Sequence, residues 1–205
     1  MSALFDHLVI GAPTLASGVT WVEQKLGVCI PPGGSHPRMG THNHLMRLGP
    51  TSFYEVIAID PAAPPPGRAR WFGLDHGPPE PRLLTWLVAV SDLDTAIAAC
   101  QIETIPVRPM TRGALTWRLT IPHDGALVEG GTMPSLIEWP DPHPARAMAD
   151  LGCRLSRLDL GHPEPARLRA ALDAIGLHDS AILVAAAQEP TLAATIQTPA
   201  GLRHL

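Results

Sequence analysis

Leu4-Phe5-Asp6-His7-Leu8-Val9-Ile10, near the start of the chain, reads as a strand from its apolar and β-branched content. Pro13 and Thr14 follow as a helix start. Leu15, Val19, Val22 and Leu26 then recur at helical spacing, and Gly27 supplies the stop. Beyond a Pro/Gly stretch, His42 to Leu48 and Ser52 to Ile59 read as two strands joined at Gly49-Pro50, with a further strand expected somewhere in 28 to 38. The order is βαβββ.

The same order returns twice. A strand at Leu83 to Val90 leads to Ser91-Asp92 as the N-cap of a helix bearing Leu93, Ile97 and Cys100 on one face. Strands are then expected at Thr104 to Val107, Leu115 to Ile121 and Ser135 to Trp139. A third pass begins at Arg154 to Leu160, continues through a helix carrying Leu168, Leu172 and Ile175 with Gly176 as its stop, and gives strands at Ile182 to Ala186 and Leu192 to Thr198. Proline clusters at Pro61 to Pro66, Pro78 to Pro81 and Pro140 to Pro144 mark the joints, because proline cannot donate to a ladder and breaks helices. The reading predicts a first βαβββ unit over 1–66, a linker over 67–82, a second unit over 83–142, and a third, partly truncated unit over 143–205. A period of roughly 75 residues favours a repeated supersecondary unit over unrelated domains. Each unit sets a helix on one side of a mixed sheet, so two units side by side make a cup with helices on its outer face, an α+β fold.

Composition narrows the function. Of 205 residues, 45% are hydrophobic, enough for a sizeable core, and charged residues make up 17% with a net charge of −4. That balance offers no basic field for a phosphate backbone, so no nucleic-acid partner is expected. Cys29, Cys100 and Cys153 are odd in number and widely spaced, which reads as reduced thiols in a reducing, cytoplasmic compartment. The first residues lack a basic segment followed by an apolar one, and no apolar run is long enough to span a membrane. Gly-rich phosphate loops, a G-x-S-x-G elbow and Cys/His nucleophile arrangements do not occur in the sequence.

Phe5 to Ile10, Phe53-Tyr54-Glu55-Val56-Ile57 and Leu87-Val88-Ala89-Val90-Ser91-Asp92-Leu93 resemble the vicinal oxygen chelate superfamily. More narrowly, Gly40-Thr41-His42-Asn43-His44-Leu45, Ala58-Ile59-Asp60-Pro61, Arg70-Trp71-Phe72-Gly73-Leu74-Asp75, Leu136-Ile137-Glu138-Trp139 with His143-Pro144, and Leu160 to Pro165 are similar to its glyoxalase-like domain family. The resemblance implies metal ligands on the first and last strand of each unit, aimed into the cup. His7 and Glu55 take the first-unit positions and Glu138 the last-strand position of the second, while Thr85 stands where a fourth ligand is expected. The implied cofactor is a divalent ion (Mn, Fe, Ni or Zn) acting on a small oxygenated metabolite, as in a lyase, an isomerase or a dioxygenase. The alternative is a metal-free, drug-sequestering binding protein in which His7 and Glu55 form a hydrogen-bonded polar pair.

Further candidates follow from residue chemistry. Strand alternation puts His42 and His44 on one face and Asn43 on the other, and one of those faces should look into the cup; His42 is a candidate acid or base, and Asn43 and His44 are candidate substrate contacts. Asn43 and Thr41 can equally serve turn backbone groups. Arg70 is a candidate clamp for an anionic group, and Trp71 with Phe72 either walls the pocket or anchors the linker. Trp117 is cup-facing or core, Arg112 is placed to cover the mouth, and Trp139 should point away if Glu138 points in. A third unit with no partner in the chain is expected to cap the second or to offer its sheet edge to another copy, giving a homodimer.

Overall fold

The computed structural model describes residues 3–100, 105–140 and 142–205. The first unit comprises β1 (Ala3–Gly11), α1 (Leu15–Leu26), β2 (Pro32–His36), β3 (Thr41–Gly49) and β4 (Ser52–Ile59). The second comprises β5 (Arg82–Val90), α2 (Leu93–Cys100), β6 (Val107–Arg112), β7 (Leu115–Thr120) and β8 (Ser135–Glu138). The strand expected from Thr104 thus lies further along; Thr104 itself is outside the described residues. A third set follows: β9 (Arg154–His162), α3 (Pro165–Ala174), β10 (Ile182–Ala186), β11 (Thr191–Thr198) and β12 (Gly201–His204).

Local chemistry accounts for α1. Thr14 Oγ1 accepts from the Ser17 N–H at 3.1 Å, Ser17 returns the contact to the Thr14 backbone, and Gly27 ends the helix in the left-handed region at φ 70°. Gly18 lets the helix sit close on the sheet, since a Cβ there would come within 2.7 Å of Ala12 and Val56 side chains.

The first eight strands form one sheet in the order β2-β3-β4-β1-β5-β8-β7-β6. Each unit contributes four strands, with its first and last parallel, and the units meet along the antiparallel β1/β5 pair. The sheet curls until its edges nearly meet: Arg38 Nη1 on the loop after β2 donates to the Pro109 carbonyl of β6 at 3.1 Å. Burial on both faces follows from this shape. Leu8, Ile10, Trp86 and Val88 pack on the convex side with α1, α2 and α3, whereas Val9, Leu87, Leu119 and Ile137 face the hollow. Each such aliphatic side chain contributes about 1.5–3 kcal/mol by leaving water.

The third set repeats the element order but not the pairing. Its sheet runs β10-β9-β11-β12, so the strand after the helix lies directly beside β9 in parallel and the last two form a hairpin on the other side. The expected βαβββ pairing is corrected here to a βαβ crossover plus a hairpin. This layer packs on the convex side of the large sheet, where Leu158, Leu160, Leu168, Ala194 and Ile196 join the core containing Phe5 and Val90. Among the described residues no helix is long and apolar enough to cross a membrane.

Candidate functional site

Register fixes what the hollow sees. On β1 and β4, Val9 lies opposite Glu55, so His7, two residues earlier, shares its face. His7 Nε2 stands 3.6 Å from Glu55 Oε2, beyond hydrogen-bond reach but close enough for charge attraction. The β1/β5 ladder shifts register between Phe5 and His7, a bulge that lets two consecutive side chains meet. Asp6 Oδ1 therefore bonds His7 Nδ1 directly. The other Asp6 oxygen accepts from Trp139 Nε1 at 2.9 Å and His143 Nε2 at 2.8 Å. His143 Nδ1 in turn accepts from the Ala145 N–H, which leaves the His143 proton on Nε2.

Burial alone would neutralise these groups, and their mutual contacts override it. Desolvation pushes the His7 pKa down, yet the Asp6 and Glu55 carboxylates on either side raise it to about 9. Desolvation likewise works against charge on Asp6 and Glu55. His143 and His7 hold Asp6 below the usual carboxylate range, and His7, His36 and Asn43 do the same for Glu55. His7 is thus an imidazolium between two carboxylates, stacked on Phe53 with ring centroids 4.2 Å apart.

Asn43 Nδ2 donates to Glu55 Oε1 at 2.5 Å, and Asn43 Oδ1 accepts from the Gly34 N–H and from Arg112 Nη1 at 3.1 Å. Arg112 thereby reaches across the mouth from β6 to β3. His36 is buried beside Trp71 and Trp117, with Nδ1 at 3.1 Å from Thr41 Oγ1, and desolvation lowers its pKa to about 4, so it is neutral. Trp71 enters from the linker. A 3-10 turn over Trp71–His76 is pinned because Gly125 packs against the Arg70 carbonyl, where a Cβ would sit at 1.8 Å, and because Gly73 N–H donates to the Gly125 carbonyl at 2.7 Å. The resulting cleft is narrow and open at its mouth, with about 30 Å³ of free space inside, and has His7, Asn43, Glu55 and Arg112 as polar groups and Phe53, Trp71, Phe72, Trp117 and Trp139 as walls.

Of the residues singled out from sequence, His7, Asn43, Glu55, Trp71, Arg112 and Trp117 come together in the cleft. The others do not. Glu138 points to the outside, where Oε2 accepts from the Leu93 N–H at 2.8 Å at the start of α2 and pairs with Arg118 at 3.3 Å. Trp139 accordingly faces inward, the reverse of the expectation. His42 and His44 lie on the face of β3 opposite Asn43, half-buried, with His44 Nδ1 at 2.7 Å from the Ile30 carbonyl. Arg70 is spent on the linker, bonding Asp75 Oδ1 at 2.6 Å. Sequence reasoning passed over Asp6, His36 and His143. Asp6 was hidden by strand alternation, which the bulge breaks.

The strand pairing also corrects the fourth ligand position. His7 lies opposite Leu87, and Ala89, two residues on, lies opposite Ile137. Leu87 and Ile137 are therefore the second-unit counterparts of His7 and Glu55, while Thr85 Oγ1 donates to the Gly131 carbonyl at 3.0 Å. Among the described residues no three His, Cys, Asp or Glu side chains converge as a metal cage. The expected set of His7, Glu55 and Glu138 does not fit a divalent ion, because Glu138 is on the wrong face and the facing half of the cup is hydrocarbon.

A curled sheet of two βαβββ units around a polar-centred hollow defines a protein of the vicinal oxygen chelate kind. The sequence profile of the glyoxalase-like domain family matches residues 5–176, and the chain belongs to that family. No curated protein sequence matches it. Among solved structures, a hypothetical protein from Staphylococcus aureus superposes with a TM-score of 0.62 at 12% identity, over 93% of this chain and 88% of that one, a likeness of fold alone. Methylmalonyl-CoA epimerase from Mycobacterium tuberculosis gives 0.45 at 20% identity, over 70% of this chain and 91% of its own. The Streptomyces coelicolor enzyme, in complex with 2-nitronate-propionyl-CoA, gives 0.46 at 14%, over 69% and 97%.

Proposed function

We propose that the cup binds a small oxygenated metabolite and moves a proton on it, as an isomerase or lyase does, with Glu55 as the base and His7 as the polarising donor. The observation that carries this reading is the 3.6 Å gap between His7 Nε2 and Glu55 Oε2. Each atom keeps capacity for a ligand, and a carbonyl compound uses both. Its oxygen accepts from His7 Nε2–H, which stabilises charge developing there, while Glu55 Oε2 takes the proton from the adjacent carbon. Asp6 holds the imidazole from behind and Asn43 holds the other Glu55 oxygen, so the pair is positioned before ligand arrives. A cup that only sequesters its ligand has no need of buried charges, which are costly to desolvate.

The test is proton exchange in D₂O followed by ¹H NMR, with pyruvate, acetoacetate and dihydroxyacetone as probes. Exchange above the buffer rate is expected for at least one of them, falling by a factor on the order of 10²–10⁴ in Glu55→Gln. Binding without exchange would instead establish the sequestering alternative.

A further inference from the structure

We propose that the ligand of this cup is a small planar carboxylate, its carboxylate held by Arg112 and the Trp71 indole N–H and its flat body lying between the aromatic walls. The inference rests on the reading of the cup as the ligand site and names the class of molecule it takes.

Hydrogen-bond accounting comes first. Trp71 is 97% buried, since only 3% of its surface is exposed, and its Nε1–H is buried with no partner among the described residues. A buried donor left unpaired is costly, so its presence on the wall of a cleft marks a place where an acceptor belongs. Arg112 makes one hydrogen bond, to Asn43, and no ion pair among the described residues. A guanidinium carries five N–H donors in a planar fork suited to a carboxylate, and most of that fork is unspent. The acceptors are nearly used up: Asp6 serves three donors, and Glu55 Oε1 is taken by Asn43. Donors in surplus call for a ligand rich in acceptors.

Charge agrees. Asn43 stands between Glu55 and Arg112, so the Arg112 charge is not quenched in a direct pair with that carboxylate. Arg112 is therefore available to an anion at the mouth, and burial already works against its charge. Shape supplies the rest. The chain has nine aromatic residues, three Phe, five Trp and one Tyr, and five of them line this one cleft. Flat rings arranged as walls favour a flat guest.

The experiment compares benzoate with benzamide, which matches it in shape and lacks the charge, by titration with ¹⁵N-labelled protein, reading the Trp71 indole and His7 imidazole resonances. Benzoate should bind at least about tenfold tighter than benzamide. Arg112→Gln should erase that preference, and Trp71→Phe, which keeps the wall and removes the donor, should weaken benzoate several-fold. Equal binding of the two probes, both moving the His7 resonance, overturns the carboxylate proposal and leaves the cup as a ligand site. If the two probes and the three carbonyl compounds above all leave His7 and Trp71 unmoved in the folded wild-type protein, both readings fail together.

Discussion

The two halves of the large sheet follow one pairing plan, and at equivalent positions they aim different chemistry into the same hollow. The first half presents His7 and Glu55; the second presents Leu87 and Ile137. The imidazole and carboxylate chemistry is thus confined to one wall, while the facing positions of the other are hydrocarbon with Trp117 and Leu119 beside them, and Arg112 at the end of β6 is its charged contribution at the mouth. The difference teaches that a repeated scaffold need not repeat its site. Backbone pairing is held by the β1/β5 seam and by cores on both faces, which leaves the inward side chains at four positions free to differ.

The most forceful way to break the comparison is to make the halves alike. Leu87→His combined with Ile137→Glu sets a second imidazole–carboxylate pair opposite the first. Without an ion the added buried polar groups should cost about 4 kcal/mol or more. With Zn²⁺ or Mn²⁺ the four donors should be satisfied, and the melting temperature should recover by about 10 °C, while the wild-type protein shows no comparable rise. Calorimetry with and without ions checks this; an equal rise in the wild type would mean that the hydrocarbon wall does not set the difference.

A second test uses pH, because the imidazoles and the carboxylate that line the cup, His7, His36 and Glu55, belong to the first half. His7 has its folded pKa raised to about 9 by Asp6 and Glu55, so its stabilisation is complete below about 6.5 and is lost as pH rises through 9. His36, near Glu55, Arg112 and His42, has its pKa lowered to about 4 by burial, so the unfolded chain takes up the proton first and stability is lost as pH falls from about 6.5 through 4. Loss of the Asp6 and Glu55 charges adds to the acid side. Denaturation across pH should therefore show a maximum near 6.5 with limbs of up to about 3 kcal/mol each. In His7→Leu the alkaline limb should flatten and the acid one persist; an unchanged alkaline limb would show that His7 does not carry the charge assigned to it.

The sequence carried the architecture further than the site, for a physical reason. Periods of two and near four residues, helix stops such as Gly27 and proline joints are local signals, and they placed β1, α1, β4 and α3 within a residue or two. Which face a side chain takes depends on bulges and on the partner strand, which are not local. The bulge at Asp6 turned an apparent outward residue into the anchor of His7. Trp139 and Glu138 exchanged faces relative to the expectation because the last strand was aligned by likeness to a ligand position and not by its pairing with Arg118 and Leu119. The third layer shows the same limit: element order was legible, but pairing of β10 directly beside β9 was not.

Glu138 gives the smallest expected effect and the sharpest test of that face assignment. Its carboxylate accepts from the Leu93 N–H at the start of α2 and pairs with an Arg118 side chain that is 38% exposed and also bonds Asp94. A helix-start acceptor and a partly solvated ion pair are each modest, so Glu138→Ala should lower stability by about 1 kcal/mol. Binding and proton exchange should stay within about twofold of wild type, because no atom of Glu138 reaches the cleft, in contrast to the loss expected for Glu55→Gln. The comparison is made by running both variants in the same exchange assay beside urea denaturation. If Glu138→Ala suppresses exchange as deeply as Glu55→Gln while α2 stays folded, then the carboxylate of the second half does reach the ligand and the assignment of the acid–base chemistry to one wall is wrong.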